Sequence, residues 1–384
     1  MMRLFLNGLA ASAGGGLTYL RNVIPHLSAR EDVETTVAVS GALRGEFGDL
    51  PRISYAPLKT QGGAVGRFWR EQTALPDLLR SNQSNVLISA GNFALRNSPV
   101  PQILLSRNSL YTSTDFYRDL RERGEYGMWV DTKVRGSLAK RSLFWADRTV
   151  APSQAFADEL RRWTGVEVLA VHHGFDRELF FRPDAPLPEE AQKRFDVTEG
   201  ALRLLFVTHY TYYRNFETLL RALPALKRAL APRKVRLILT CDFSRSREYP
   251  AQSAVRLLEK LDVAGEVVQL GSIPYQSLHH LYQACDVYVT PAYTETFAHP
   301  LVEAMASGLP IVASDLPVHR EICEGAALYF SRFCPDELAE RVAEVVCSKL
   351  LSKRLVDEGA RRGESFSWKK HVEQIVALAA GLSK

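Results

Sequence analysis

Residues 291–315 read P-A-Y-T-E-T-F-A-H-P-L-V-E-A-M-A-S-G-L-P-I-V-A-S-D, a loop, a helix, a turn and a strand in quick succession. Pro300 suits the first helical position, where its missing N–H costs nothing. Leu301–Ser307 is built of good helix formers, Gly308 suits a left-handed C-cap, and Pro310 forbids continuation. Ile311–Ala313 then reads as a buried strand. Glu295 is therefore expected in the loop ahead of the helix, and Glu303, with seven residues between the two, about one turn inside it. A helix N-terminus offers unpaired N–H groups and a positive dipole end, a seat for an anion. Two acids beside such a seat suit a ligand that carries both phosphate and hydroxyls.

The rest of the chain repeats this grammar. Strand-like runs stand at Arg3–Leu6, Thr35–Val39, Val86–Ser89, Ile103–Ser106 and Thr149–Ala151 in the first half. In the second half they stand at Leu204–Val207, Val235–Leu239, Val267–Gln269, Val287–Val289 and Ile311–Ala313. Helical or mixed stretches separate them, which is the spacing of repeated β–α units around a parallel sheet. Between the halves, 182–188 is rich in proline and 189–200 is charged. The expected fold class is thus α/β, with two Rossmann-like domains facing each other across a cleft. The first is expected over 1–176, a linker over 177–200 and the second domain over 201–365. Residues 366–384 read as a terminal helix packing back toward the first domain. Ligands of open α/β sheets bind beyond the carboxyl ends of strands, and clefts between domains are favoured ligand sites.

Composition narrows the classes. The 384 residues, 46% hydrophobic and 24% charged, describe an ordinary globular chain long enough for two or three domains. No apolar run reaches the length of a membrane span, and M-M-R-L-F-L-N-G reads as a strand entering a glycine loop rather than a signal peptide. The five cysteines are widely spaced without a C-x-x-C, which argues against a disulfide framework or a zinc site and fits a reducing cytoplasm. Residues 1–175 carry 21 basic and 16 acidic side chains, so the net +5 belongs to the first half. That excess fits either a solvated surface or a face turned to lipid headgroups or a phosphorylated acceptor. Within it, Asp115–Trp145 mixes aromatic and basic residues in a way compatible with ordinary helices or with peripheral membrane contact. An excess this small, with no recognised motif, argues against a nucleic-acid partner.

Three further loops hold candidate residues. Gly14, Gly15 and Gly16 lie between a strand and the apolar run Leu17, Leu20, Val23, Ile24, as a ligand-approaching loop or as a plain strand–helix turn. Arg107 and Asn108 follow the strand-like I-L-L-S, at a strand's carboxyl end. In F-V-T-H-Y-T-Y-Y-R-N (206–215), His209 and Arg214 flank a helix entrance that Asn215 suits as N-cap. Both could reach a diphosphate, arginine with a fixed fork of donors.

Taken together these motifs resemble the retaining nucleotide-sugar glycosyltransferases of the group 1 family (family 4), which have the GT-B fold. The family's E-x7-E corresponds to Glu295 and Glu303, with E-A-M-A-S-G-L-P-I-V-A-S in register. Its loop G-R…K-G/N corresponds to 208–215, its L-G-x-V/I turn to 270–273, and its N-G-V-D to His173–Asp176. The resemblance implies that Glu303 holds the donor's ribose hydroxyls and Glu295 those of the donor sugar. It implies that backbone N–H groups at Phe297 and Ala298 bind phosphate or sugar beside His299, and that Ser272 and Ile273 flank the base. Arg214 would neutralise the leaving diphosphate, helped by His209. Gly16 would approach the donor, and Gly15, with Arg107 and Asn108, the acceptor side. It further implies a cytoplasmic enzyme of polysaccharide biosynthesis, peripheral on the membrane's inner face where it touches one. The acceptor would be a glycan or a lipid-linked or small molecule. With no D-x-D, the reading is of no metal and no cofactor beyond the nucleotide diphosphate sugar. Departures from the family pattern bear on donor identity and the sugar-facing pocket: Thr296 and Ala298 replace the glycines of E-G-F-G, His209 and Arg214 replace an arginine and a lysine, and Ser106–Arg107–Asn108 stands where many members place a histidine.

Two glutamates also suggest a glycoside hydrolase, whose carboxyls lie about 5–9.5 Å apart. Eight helical positions rise about 12 Å, which suits gripping two parts of one long ligand. A sugar-nucleotide epimerase of similar shape, or a non-catalytic nucleotide-sugar-binding subunit, are the remaining alternatives.

Overall fold

The computed structural model describes residues 1–11, 14–58, 63–182, 185–245 and 249–383. Ser12 and Ala13 of the first glycine loop, and 183–184 of the expected linker, lie outside the described residues. The chain divides into two compact units, one of Met1–Ser113, Arg123–Gly174 and Ser367–Lys384, the other of Thr114–Glu122 and Phe175–Phe366. Each is a parallel α/β sheet of the Rossmann kind.

The first unit carries β1 (Met2–Asn7), β2 (Val33–Ser40), β3 (Ile53–Leu58), β4 (Val86–Ser89), β5 (Gln102–Leu105), β6 (Arg148–Ala151) and β7 (Val168–Ala170). Their order is β3-β2-β1-β4-β5-β6-β7, with every pairing parallel. The second carries β8 (Leu202–Phe206), β9 (Val235–Leu239), β10 (Val267–Gln269), β11 (Val287–Thr290), β12 (Ile311–Ser314) and β13 (Ala327–Phe330). Their order is β10-β9-β8-β11-β12-β13, again all parallel. In both sheets the winding reverses beside the first strand, between β1 and β4 and between β8 and β11. Such a reversal parts the loops above it and opens a crevice at the strands' carboxyl ends.

Central strands covered on both faces read as unbroken apolar runs, and β4, β5, β11 and β12 are buried throughout. Three strands escape the sequence reading, and all three lie at sheet edges: β3, β7 and β13. Each is only partly buried, and β3 contains Pro57, which an edge tolerates. Residues 177–200 are also more than a connector. They form the helices Arg177–Phe180 and Glu189–Asp196 within the second unit, because Phe180 and Phe195 are buried there. Asp115–Trp145 divides into the helices Thr114–Glu122, grouped with the second unit, and Tyr126–Trp145, in the first. The latter leaves Tyr126, Val130, Val134 and Phe144 exposed. No described helix is long and apolar enough to cross a membrane.

The terminal helix Trp368–Leu382 belongs to the first unit. Its Trp368, Val372, Ile375, Val376 and Ala379 share one core with Tyr19, Leu20, Val23, Ile24 and Leu27 of the helix Gly14–Ser28. Gly174 makes this possible. A Cβ there would lie 1.9 Å from the Trp368 amide nitrogen, so only glycine admits the terminal segment. His173 beside it is buried, its ring stacked on Trp368 at 5.3 Å.

Candidate active site

In the second unit, the loops after β8 and β11 meet at the sheet's reversal. Asn215 precedes the helix Phe216–Ala229 but does not cap it. Its backbone is left-handed (φ 55°), and its side chain donates to the Pro291 carbonyl at 3.0 Å while accepting from the Thr218 hydroxyl at 2.9 Å. The left-handed turn carries the amide away from the helix's free N–H groups and uses it to tie the two loops together. Arg214, one residue earlier, donates from Nη1 to Glu295 Oε2. Glu295 Oε1 accepts from the Thr296 amide at 3.0 Å, so both carboxylate oxygens are held. The pair is largely buried, with the side chains 22% and 12% exposed. Burial works to raise the Glu295 pKa, but Arg214 and the Thr296 N–H outweigh it and hold the carboxyl below its ordinary value. For Arg214, burial works the other way, and Glu295 overrides it to keep the guanidinium firmly charged. Its Nε and Nη2 donate to no described residue, leaving most of the fork for a ligand anion.

The helix after this loop runs His299–Ala306, with Pro300 in its first turn and Gly308 left-handed (φ 71°) beyond its end. Ala298 is the residue before the helix and is itself left-handed, at φ 63°. A position that ordinarily asks for glycine is thus occupied by a residue with a Cβ. Phe297 is fully buried, and His299 packs its ring on it at 4.9 Å. Glu303, just over one turn into the helix, is 5% exposed and accepts from the Tyr282 hydroxyl at 2.8 Å. Burial lifts its pKa to about 7, a rise that the Tyr282 hydrogen bond only partly opposes. The two glutamates therefore differ in kind. One is fixed as a carboxylate by a cation, and the other is poised to exchange a proton near neutrality.

The remaining expected residues are less tightly organised. His209 is exposed at the start of its loop, and Ser272 is exposed beside buried Ile273 in the turn that left-handed Gly271 (φ 79°) makes after β10. Sequence reasoning missed Tyr282 and His319. The latter is fully buried, donates from Nδ1 to the Ser314 carbonyl at 2.9 Å, and leaves Nε2 without a partner among the described residues. Burial lowers its pKa to about 4 against the pull of Ser314 and Glu295, so the ring is neutral beside the Arg214–Glu295 pair. A histidine at core spacing with Val318, Ile322 and Cys323 was the available signal.

In the first unit, a Cβ on Gly16 would lie 3.1 Å from Ala11 Cα, so the chain's own packing accounts for that glycine. Gly15 faces open space. Asn108 accepts from the Leu110 amide at 3.0 Å, capping a short turn. Arg107 reaches back from the end of β5, donating from Nη2 to the Ala90 carbonyl, with its guanidinium 4.5 Å above the Tyr19 ring. A further missed residue is Glu71 of the helix Gly63–Ser81. It is 2% exposed on the face of Leu75 and Leu79, and burial raises its pKa to about 7 despite Arg67 at 3.4 Å and Asn7.

The two Rossmann-like units place the acid-and-cation site at the carboxyl edge of the second sheet, where open α/β sheets bind ligands. The family description "Glycosyl transferases group 1" matches residues 189–362, and "Glycosyltransferase Family 4" matches residues 13–179. The chain belongs to the group 1 glycosyltransferases and is an enzyme of that class. It is 26% identical to a D-inositol 3-phosphate glycosyltransferase of Catenulispora acidiphila, over 96% of this chain and 92% of that one. Among solved structures it is similar to a sucrose-phosphate synthase from Thermosynechococcus elongatus (TM-score 0.78, 18% identity, covering 100% of this chain and 99% of that one). It is also similar to HepE of Anabaena in complex with UDP-glucose (TM-score 0.74, 17% identity, 100% of both chains). Both are GT-B proteins in fold.

Proposed function

We propose that this chain transfers a sugar, with retention of anomeric configuration, from a nucleoside diphosphate sugar to an acceptor hydroxyl without a metal ion. The observation that carries the reading is the Arg214–Glu295 pair standing at the reversal of the second sheet, with Glu303 one helical turn further in. Glu303 accepts hydrogen bonds from the ribose hydroxyls. Glu295, its carboxylate oriented by Arg214 and Thr296, takes hydroxyls of the donor sugar. The free donors of Arg214, with His209, meet the charge that grows on the leaving diphosphate, and a fixed donor of this kind stabilises a transition state without reorganising. The acceptor oxygen forms the new glycosidic bond on the face from which the diphosphate departs. Its proton passes to a phosphate oxygen, and no separate base is needed.

The relatives make UDP-glucose the first donor to try, since HepE binds it. A thermal-shift screen of UDP, GDP, ADP, CDP and dTDP sugars in EDTA, followed by donor hydrolysis with the best of them, tests the reading. Stabilisation and nucleotide release in EDTA are expected. Turnover that needs added Mg²⁺ or Mn²⁺ would remove the metal-free part, and no stabilisation by any nucleotide would remove the donor. On the helix Tyr126–Trp145, the exposed Tyr126, Val130, Val134 and Phe144, beside Lys133 and Arg141, form the surface where a peripheral membrane contact would lie. Vesicle sedimentation with and without Val130→Asp reads that out.

A further inference from the structure

Arg107 is a cation with no anionic partner among the described residues. Its Nη2 donates to the Ala90 carbonyl, its backbone amide donates to Asn92 Oδ1 at 2.6 Å, and its guanidinium faces the Tyr19 ring. Nε is buried without a partner, and Nη1 donates to no described residue. No carboxylate ion-pairs with it among the described residues. Arg67 on the helix Gly63–Ser81, by contrast, is matched to Glu71. Burial pushes the guanidinium below its ordinary range, and only Tyr19 opposes that. A desolvated charge left unpaired is unfavourable, and nature retains such a group where something else completes it.

The location says what completes it. Arg107 follows β5 and reaches to the end of β4, one of the two strands between which the first sheet's winding reverses. The adjoining loops are drawn together there: a Cβ on Gly91 would lie 2.6 Å from Ala10 Cβ. Gly15, on the helix that follows β1, leaves open space. Tyr19 is itself fixed from the far side. Its hydroxyl donates to His371 Nε2 at 3.0 Å, and His371 Nδ1 donates to the His172 carbonyl at 2.9 Å. The ring that carries Arg107 is therefore clamped, and the guanidinium is preorganised as a planar fork, the geometry that suits phosphate.

We propose that Arg107 is an anion anchor in the first unit and that the acceptor of this transferase carries a phosphate group. The acceptor role rests on the glycosyl-transfer reading above; the anion site does not. A phosphate of this kind belongs either to a soluble sugar or polyol phosphate or to a lipid headgroup. The test is binding of glycerol 3-phosphate, with glycerol as its uncharged control, to wild type, Arg107→Gln and Arg107→Lys, followed by ³¹P NMR line width. UDP affinity is measured alongside by calorimetry. Glycerol 3-phosphate should bind wild type and not be matched by glycerol, weaken at least about tenfold in Arg107→Gln, and recover in part in Arg107→Lys. UDP affinity should stay within about twofold in all three, because that ligand's residues lie in the second unit. Because no described carboxylate pairs with the removed charge, unliganded Arg107→Gln should melt close to wild type. Should it melt lower, Arg107→Lys decides: phosphate binding retained supports the anchor, and phosphate binding lost overturns it. Equal phosphate binding by Arg107→Gln also overturns it, as does loss of UDP in place of phosphate, which would give the cation to the donor. Vesicles of phosphatidylglycerol in phosphatidylcholine form the second arm. Arg107-dependent binding to these alone assigns the phosphate to a lipid, and binding of neither probe overturns the proposal. Phosphate binding with no nucleotide binding would instead count against the donor reading and leave the anchor standing.

Discussion

Glu295 and Glu303 are eight positions apart and live in opposite electrostatic worlds. Arg214 keeps the first ionised, whereas burial brings the second to about 7. The sign of the second shift makes a prediction. Unfolded, Glu303 titrates near its ordinary 4.5, so between that value and about 7 the folded chain holds more protons than the unfolded one. Stability from this group is therefore lost as pH rises through that window. Glu303→Gln, which can still accept from Tyr282, should stabilise the protein by about 2–3 kcal/mol at about pH 8, shrinking to under about 1 kcal/mol at about pH 5. Urea unfolding at the two pH values measures it, and a pH-independent gap would show that Glu303 is not raised. Removing the other partner acts differently. Arg214→Ala leaves Glu295 largely buried without its cation, so its pKa should rise rather than fall, and ¹³C-carboxyl NMR would follow it. At this scale the sequence was legible where spacing alone mattered, as in the two glutamates and Pro300. It marked His319 only by its core spacing and gave Tyr282 no role, because their partners come from elements that meet only in the fold.

The helix His299–Ala306 and its flanking loop hold the clearest local conflict. Ala298 adopts φ 63°, where a Cβ meets the neighbouring backbone. Ala298→Gly relieves that crowding but frees the unfolded chain, so a net gain of about 0.5–1 kcal/mol is expected. An increase in the urea midpoint checks it, and a decrease would mean that the Ala298 methyl packs favourably enough to outweigh its strain. The helix itself was readable because Pro300, a run of good formers and Gly308 all agree. Asn215 was half readable: it stands where an N-cap belongs, but its left-handed backbone sends the amide to Pro291. The missed strands β3, β7 and β13 lie at sheet edges and are only partly buried. β3 mixes polar residues with Pro57, whereas β7 (V-L-A) and β13 (A-L-Y-F) are apolar runs too short for periodicity to tell strand from helix.

At the scale of the molecule, the terminal helix returns to the first unit's core, and Gly174 is the point that admits it. Gly174→Ala would force backbone against backbone, a clash no rotamer relieves, and should cost about 1–3 kcal/mol or more. The loss should appear in the melting of the first unit, with nucleotide binding by the second retained; an unchanged melt would contradict the packing. The two-sheet architecture was visible as alternating β and α signals. The grouping of Thr114–Glu122 with the second unit was not, since nothing local marks which sheet a short helix serves. The central claim concerns the second unit's reversal point, and one measurement addresses it most directly: steady-state release of nucleotide from the best donor by wild type and Arg214→Ala, in EDTA. The account predicts that kcat falls about 10²–10³-fold while the folded state persists. Turnover by Arg214→Ala at the wild-type rate would contradict it.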